Sequence, residues 1–525
     1  MIEVRGLSKN YGSTPALHDV DLLVPRGEFC VVLGPSGAGK STLLRCINRL
    51  VEPGTGEVRI GGQRLSGERR QLREVRRHLG MIFQDHNLVP RLSVLKNVLT
   101  GRLASMPVLT SLLQWFPQTD IDIAMQCLAR VELTDKAYSR ADRLSGGQQQ
   151  RVGIARALAQ QPGAILADEP VASLDPKTAR VVLGDLRRAA HELGIAVLCN
   201  LHQFEYAKEF ADRIVGLSSG RVVFAGAPDI GRPRAGADIS RARATRRRIA
   251  SSRAWNGAMS SGYRFVLGRP RGTGIIAGLV LTGAMACTLL AWSAQSLGLS
   301  LGELLRGLPW IADLLSRMMP PNWNFARRLW QPLLETVQIA VWGTLFGVLL
   351  AVPLAWLGAR NLSPNRFLFH ATRQVFNVAR GINEIIFALV FVAAVGLGPF
   401  AGILALSVHG AGMLGKFFAE QIEEADPGPI EALRAVGANT LHTIVFGVLP
   451  QVLPGWIAST LYRLEVNLRT STILGMVGAG GIGFELVSSL KLFQYQDTAV
   501  CVLIILAMVM TADYLSSKLR FKILN

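Results

Sequence analysis

Two hydrophobic periods divide the chain. Through residues 1–228, short apolar runs such as Val31-Val32-Leu33, Met81-Ile82-Phe83, Ala164-Ile165-Leu166-Ala167 and Ala196-Val197-Leu198-Cys199 alternate with helical patterns. That alternation predicts an α/β domain over 1–228. From about residue 271 the runs reach membrane-spanning length, first at Ile275–Trp292 and then near 334–357, 382–396, 399–418, 441–462 and 498–514. They predict an all-α polytopic domain over 271–525 with about six spans. Between the first two spans, Leu304, Leu305, Leu308, Trp310, Ile311, Leu314 and Leu315 form an amphipathic stretch before Pro320-Pro321, which fits an interfacial helix on the outer face. The glycine-rich apolar stretch Thr470–Gly483 predicts a broken or re-entrant segment, since backbone groups freed by glycine need protein or water partners.

Composition agrees with this division. A chain of 525 residues is too long for one ordinary domain, and half of it is hydrophobic, with a mean hydropathy of +0.30. The formal charge of +19 fits nucleic acid, an anionic membrane surface or an anionic substrate until the charges are located. Residues 229–270 form an Arg-rich linker, and within its stretch 231–253 Arg232, Arg234, Arg241, Arg243, Arg246, Arg247, Arg248 and Arg253 face only Asp238. A nucleic-acid arm is one reading of this segment. A cytoplasmic juxtamembrane tether beside anionic lipid is favoured, because a span follows at once. Arg264, Arg269 and Arg271, then Arg360, Arg366, Arg373 and Arg380, then Lys518, Arg520 and Lys522 mark cytoplasmic loops. Six spans with both termini inside satisfy all three clusters. No CxxC pair occurs among the six cysteines, and the N-terminus lacks an apolar signal region, so the first domain is expected in the cytoplasm.

The chemistry concentrates in the first half. After the apolar run ending at Leu33 come Gly34-Pro35-Ser36-Gly37-Ala38-Gly39-Lys40-Ser41-Thr42, a phosphate-binding P-loop between strand and helix. Its backbone N–H groups can cradle phosphate oxygens, Lys40 can reach the β- and γ-phosphates, and the Ser41 hydroxyl can ligate Mg²⁺. Tyr11 can stack on a purine, though a lone aromatic also serves as a core or turn residue. Gln84 after Met81-Ile82-Phe83 can reach Mg²⁺ or an attacking water, and a surface glutamine is the alternative. Leu144 with Ser145, Gly146, Gly147 and Gln148 forms a second anion cradle at a helix start. Asp168 closes an apolar strand, placed to hold Mg²⁺, and Glu169 beside it is placed to orient or deprotonate water. His202, at the end of another strand, can donate to a γ-phosphate oxygen.

Together these motifs resemble the nucleotide-binding domain of ABC transporters over essentially all of 1–228. Walker A, the Q-loop glutamine, the LSGGQ signature, Walker B with its glutamate, the D-loop at Ser173-Leu174-Asp175 and the H-loop histidine stand in family order. The resemblance implies ATP and Mg²⁺ as cofactors, with Tyr11 as the adenine-stacking aromatic. It also implies two ATP sites, each formed by Gly34–Thr42 of one copy and Leu144–Gln148 of another. Met81–Val89, Arg91–Val94, Gly101-Arg102-Leu103 and Asn200–Gln203 look like the ATPase subunit of phosphonate importers. Residues 330–520 look like the matching permease, of the type I importer class, including Arg380–Glu384.

The loop near 428–440, with Glu431, Ala432 and Gly437, resembles the EAA motif, whose short helix couples a permease to its ATPase. Two departures stand out: Leu433 where a second alanine is preferred, and Gly447 where isoleucine is usual. Within the spans, His409, Arg463, Glu465 and Arg469 are candidates for an anion pathway, with an internal Arg463–Glu465 pair as the alternative.

The expected protein is a fused ATPase–permease that imports phosphonate, phosphite, hypophosphite or a related phosphorus oxyanion across the cytoplasmic membrane. Its expected partners are a second copy of the chain or a related permease, a periplasmic or lipid-anchored binding protein, and membrane lipid, with no nucleic acid. An exporter with its ATPase domain first, or an ABC ATPase acting on nucleic acid, are the competing readings.

Overall fold

The computed structural model describes residues 1–524 except 66, 108–109, 112–113, 173 and 229–272. The linker expected at 229–270 and Ser173 of the D-loop therefore lie outside the described residues. The chain forms two compact units: Met1–Ser240 with Glu420–Trp456, and Arg241–Ala419 with Ile457–Asn525.

The first unit carries two sheets. β1 (Ile2–Tyr11), β2 (Thr14–Val24), β4 (Thr55–Ile60) and β5 (Gln63–Arg64) form an antiparallel sheet in the order β2-β1-β4-β5. β3 (Phe29–Leu33), β6 (Leu79–Ile82), β7 (Ala164–Asp168), β8 (Ala196–Leu201), β9 (Arg213–Ser218) and β10 (Arg221–Gly226) form the second, in the order β10-β9-β3-β8-β7-β6. All neighbours in that sheet are parallel except β10 with β9. β6, β7 and β8 are buried along their whole length, as strands covered on both faces must be, and apart from Asp168 and Asn200 their sequences are correspondingly apolar without alternation. The flanking helices are α1 (Lys40–Ile47), α2 (Arg69–Arg77), α3 (Val94–Leu99), α4 (Gln118–Arg130), α5 (Gly146–Ala159), α6 (Pro176–Leu193) and α7 (Phe204–Phe210). α6 shows how locally its ends are specified. Asp175 caps it by accepting from the N–H groups of Lys177 and Thr178, Pro176 opens it, and Gly194 ends it in the left-handed region.

The second unit is helical: α8 (Thr273–Ser296), α9 (Leu301–Arg317), α10 (Trp330–Gly358), α11 (Arg366–Gly381), α12 (Glu384–Val395) and α13 (Pro399–Glu423). After α14 (Pro427–Ala435), which packs in the first unit, come α15 (Leu449–Met476), α16 (Ile482–Lys491) and α17 (Tyr495–Leu524). Five described helices are long and apolar enough to cross a membrane: Gly278–Ser296, Trp330–Gly358, Pro399–Glu423, Thr440–Met476 and Tyr495–Ile523. The span expected at 382–396 is corrected. α12 has 12 residues, about 18 Å of helix, too short to cross alone. It makes a sixth span only together with α11, across a bend of 88°. α15 runs unbroken through Thr470, so the break expected across 470–483 is confined to the turn carrying Gly478, Gly480 and Gly481, all with positive φ.

Candidate functional site

The ends of the parallel strands gather the candidate residues. β3, β8 and β7 are adjacent, and the registers Val32↔Asn200 and Asp168↔Asn200 bring the P-loop, Asp168 and His202 to one edge of the sheet. The P-loop turns into α1 through Gly39, whose φ of 99° is one that L side chains rarely adopt. Lys40 is buried, and its Nζ donates to the carbonyl oxygens of Gly34 (2.9 Å) and Pro35 (3.4 Å) and lies 3.5 Å from His202 Nδ1. Burial pushes the Lys40 ammonium below its ordinary pKa, while Glu169 and Asp168 pull the other way.

Two pairs complete this edge. The Ser41 hydroxyl donates to Asp168 Oδ1 at 2.9 Å, and Asn200 Nδ2 donates to the same oxygen at 2.9 Å. His202 Nε2 lies 2.6 Å from Glu169 Oε1, and Glu169 itself has a φ of 49°. Ser41 and Asp168 are the kind of adjacent oxygen pair that a hard divalent cation takes, with phosphate and water supplying the rest of its shell. Among the described residues no group of three or more His, Cys, Asp or Glu side chains could hold a metal ion.

The signature stretch is built differently. Ser145 caps α5 in a reciprocal box: its Oγ accepts from Gln148 N (3.4 Å), while its own N–H donates to Gln148 Oε1 (3.1 Å). Ser145 and Gly146 are exposed, so this helix start faces away from the core. Tyr11 is half-exposed with Lys9 Nζ over its ring, and Gln84 is exposed beyond the end of β6. The strand-end residues are thus brought together. Among the described residues, Tyr11, Gln84 and the signature residues make no hydrogen bond to that cluster.

Three residues that hold the site in shape escaped the motif reading. In the sequence Asn200 stands only as part of the Asn200–Gln203 pattern. Its signal was a polar residue inside the fully buried strand β8. Arg156, buried in α5, donates to the carbonyls of His86 (2.9 Å) and Asn87 (2.7 Å), which fixes the loop that carries Gln84. Burial lowers the Arg156 guanidinium to about 10. Asn87 in turn touches α14, where a Cβ on Gly428 would lie 2.7 Å from Asn87 Oδ1.

α14 is seated in the ATPase unit itself. Asp426 caps it, accepting from Gly428 N, and Pro427 opens it. Its buried face divides between two cores: Ala432 and Ala435 join the one under β3 and β7, and Leu433 joins the one built on α3, α4 and α5, with Phe446. The Phe446 ring meets Phe116 edge-on at 5.8 Å. Glu431 lies 3.8 Å from Arg45 of α1. Gly437 has a φ of 83°, and a Cβ there would come within 2.8 Å of the Arg73 carbonyl oxygen, so the turn that ends α14 excludes any side chain. The two departures from the EAA pattern meet each other. A Cβ on Gly447 would lie 2.8 Å from Leu433 Cδ1, so the larger residue at 433 occupies the space an isoleucine at 447 would need.

A P-loop, an acid pair at a strand end and a capped signature helix, continuous with a bundle of membrane-length helices, define an ATP-hydrolysing multi-pass membrane transporter. Residues 17–172 match the ABC transporter family, and residues 343–520 match the binding-protein-dependent transport system inner membrane component. The phosphonates import ATP-binding protein PhnC of Thiobacillus denitrificans is 56% identical over 228 residues, 43% of this chain and 87% of its own length. PhnC 2 of Oceanobacillus iheyensis is 51% identical over 228 residues, covering 43% and 90%. A solved dimeric bacterial ABC transporter cassette is 36% identical over 43% of this chain and 99% of its own, with a TM-score of 0.38. The chain belongs to the phosphonate-type ABC transporters, with the ATP-binding subunit fused N-terminally to the permease subunit.

Proposed function

We propose that this chain imports phosphonates, or a closely related phosphorus oxyanion such as phosphite or hypophosphite, across the cytoplasmic membrane, with its ATPase unit and both termini cytoplasmic. The observation that carries the reading is the identity of 56% to a phosphonates import ATP-binding protein, on a chain that continues into a binding-protein-dependent permease. Two copies pair, so that Gly34–Thr42 of one and Ser145–Gln148 of the other enclose each ATP, with Tyr11 against the adenine. A binding protein outside the membrane delivers the substrate.

In the proposed cycle, Lys40 leaves the carbonyls of Gly34 and Pro35 for the β- and γ-phosphates, which gives its partly desolvated charge a stronger partner. Ser41 and Asp168, with Gln84, would hold Mg²⁺, which would supply neutralisation of the phosphate charge. Glu169 orients and deprotonates the attacking water, and His202, 2.6 Å from it, donates to the γ-phosphate. α14 carries the closure of the ATPase units to the membrane helices through Glu431, Ala432 and the turn at Gly437.

The test is uptake of radiolabelled methylphosphonate into proteoliposomes holding the full chain, ATP and the binding protein. ATP-dependent accumulation that stops without the binding protein is the expected result. Outward transport, or a failure to take up any of methylphosphonate, phosphite and hypophosphite, refutes the reading.

A further inference from the structure

The membrane helices carry a charge that the folded chain leaves unsatisfied. Arg463 stands near the middle of the 28-residue α15 and is 2% exposed. The internal pair with Glu465 that the sequence allowed does not form. Glu465 accepts instead from Arg469 (3.0 Å) and Arg520 (3.2 Å). Arg463 Nη1 donates only to the sulfur of Met413 on α13, at 3.4 Å, and its Nε and Nη2 have no partner among the described residues. Opposing charge comes from Glu384 at the start of α12. That carboxylate is already engaged, accepting from Thr470 Oγ1 (3.3 Å) and lying 3.4 Å from His409 Nδ1. A buried guanidinium with idle N–H groups is costly to desolvate and is tolerated where something else satisfies it.

One turn further along α15, Asn467 faces the same way and is fully buried. Its Nδ2 donates to Thr344 Oγ1 on α10, at 2.9 Å. The amide cannot be turned over. The Thr344 hydroxyl spends its proton on the Ala340 carbonyl (2.7 Å), so its oxygen can only accept. Asn467 Oδ1 is therefore left as a free buried acceptor, with no partner among the described residues. Small residues pack beside Arg463. A Cβ on Gly410 of α13 would lie 3.7 Å from Arg463 Nε, and Gly347 of α10 lies against Gly410.

We propose that Arg463 and Asn467 form an oxyanion site inside the permease bundle, which takes the singly protonated form of a phosphonate on its way through. The proposal rests on the import reading above and extends it to a place in the membrane. The complementarity is one of donors and acceptors. A hydrogen phosphonate presents two bare oxygens, which accept from the Nε and Nη2 groups of the guanidinium fork, and one P–OH, which donates to Asn467 Oδ1. Thr344 holds the amide in the orientation this requires.

The experiment combines uptake of radiolabelled methylphosphonate, in proteoliposomes with the full chain and binding protein, with thermal melting of the purified full chain. Arg463→Met and Asn467→Leu are each expected to lower uptake on the order of 10- to 100-fold, the loss of one or two charge-assisted hydrogen bonds. Arg463→Lys is expected to keep more uptake than Arg463→Met. Arg463→Met is also expected to raise the melting midpoint, because it replaces an unpaired buried charge with an apolar chain, whereas a structural arginine would lower it. Methylphosphonate without binding protein should raise the midpoint of the wild type and leave that of Arg463→Met unchanged. Wild-type uptake by Arg463→Met, or lost uptake with a lowered midpoint, overturns the site. Stabilisation by inorganic phosphate and not by methylphosphonate overturns its place on the transport route. A wild-type chain that takes up no phosphorus oxyanion refutes the import reading itself, before any variant is compared.

Discussion

The contact between Leu433 and Gly447 offers a test of how the permease is joined to the ATPase. Leu433 is 2% exposed and packs with Phe446 in the core built on α3, α4 and α5. Truncation to alanine removes three carbons from that core, at a cost of about 2–5 kcal/mol. Gly447 lies in the helical turn Thr443–Val448, where its backbone accepts any residue, but a Cβ would stand 2.8 Å from Leu433 Cδ1. Gly447→Ile therefore overpacks the joint at about 1–3 kcal/mol. Made together, Leu433→Ala and Gly447→Ile return the volume one removed, and the cost should fall below about 1.5 kcal/mol. The assay is substrate transported per ATP hydrolysed in proteoliposomes, with the melting midpoint of each variant beside it. Each single variant should hydrolyse ATP with less transport per turnover, and the pair should recover most of both quantities. A double variant no better than its worse parent would show that the two side chains do not share the space assigned to them.

Other outcomes follow from the site. Lys40→Ala should lower ATP hydrolysis by 100-fold or more, about 2.7 kcal/mol or more of lost transition-state stabilisation, as measured by phosphate release. Glu169→Gln should bind ATP yet hold the paired ATPase units closed. Trapped nucleotide after gel filtration checks this, and ordinary steady-state hydrolysis removes the general-base role. Ser145→Ala loses the reciprocal cap of α5, at about 1 kcal/mol, and should weaken ATP-dependent pairing of the ATPase units in a cross-linking assay. Chelation of Mg²⁺ should stop hydrolysis while leaving fluorescent nucleotide bound, since Lys40 and the P-loop backbone hold phosphate without it; continued hydrolysis in excess chelator removes Ser41 and Asp168 from the metal role.

Motifs confined to one stretch were legible without a fold. The P-loop and the signature stretch depend on backbone conformation and on partners a few residues away, so residue type and spacing suffice. The same holds for the apolar runs, because a spanning helix must be apolar along its length. Span count was only partly legible. The run at 382–396 is apolar enough, but Asn383 caps a new helix there, and the chain bends by 88° between α11 and α12.

What the tertiary structure alone decided is which distant side chains meet. Ser41 and Asp168 are 127 residues apart, and the order of β3, β8 and β7 makes them partners. Leu433 and Gly447 are unexceptional residues until α14 is seated and the space between them is seen to be shared. Glu465 sits two residues from Arg463 and so points to another face of the helix. It takes Arg469 and Arg520 instead, and Arg463 is left with idle donors beside the free oxygen of Asn467. Local propensity and hydrophobic period set what each segment becomes. Packing sets which polar groups find partners, and among the described residues it leaves the Nε and Nη2 groups of Arg463 and the Oδ1 of Asn467 without one.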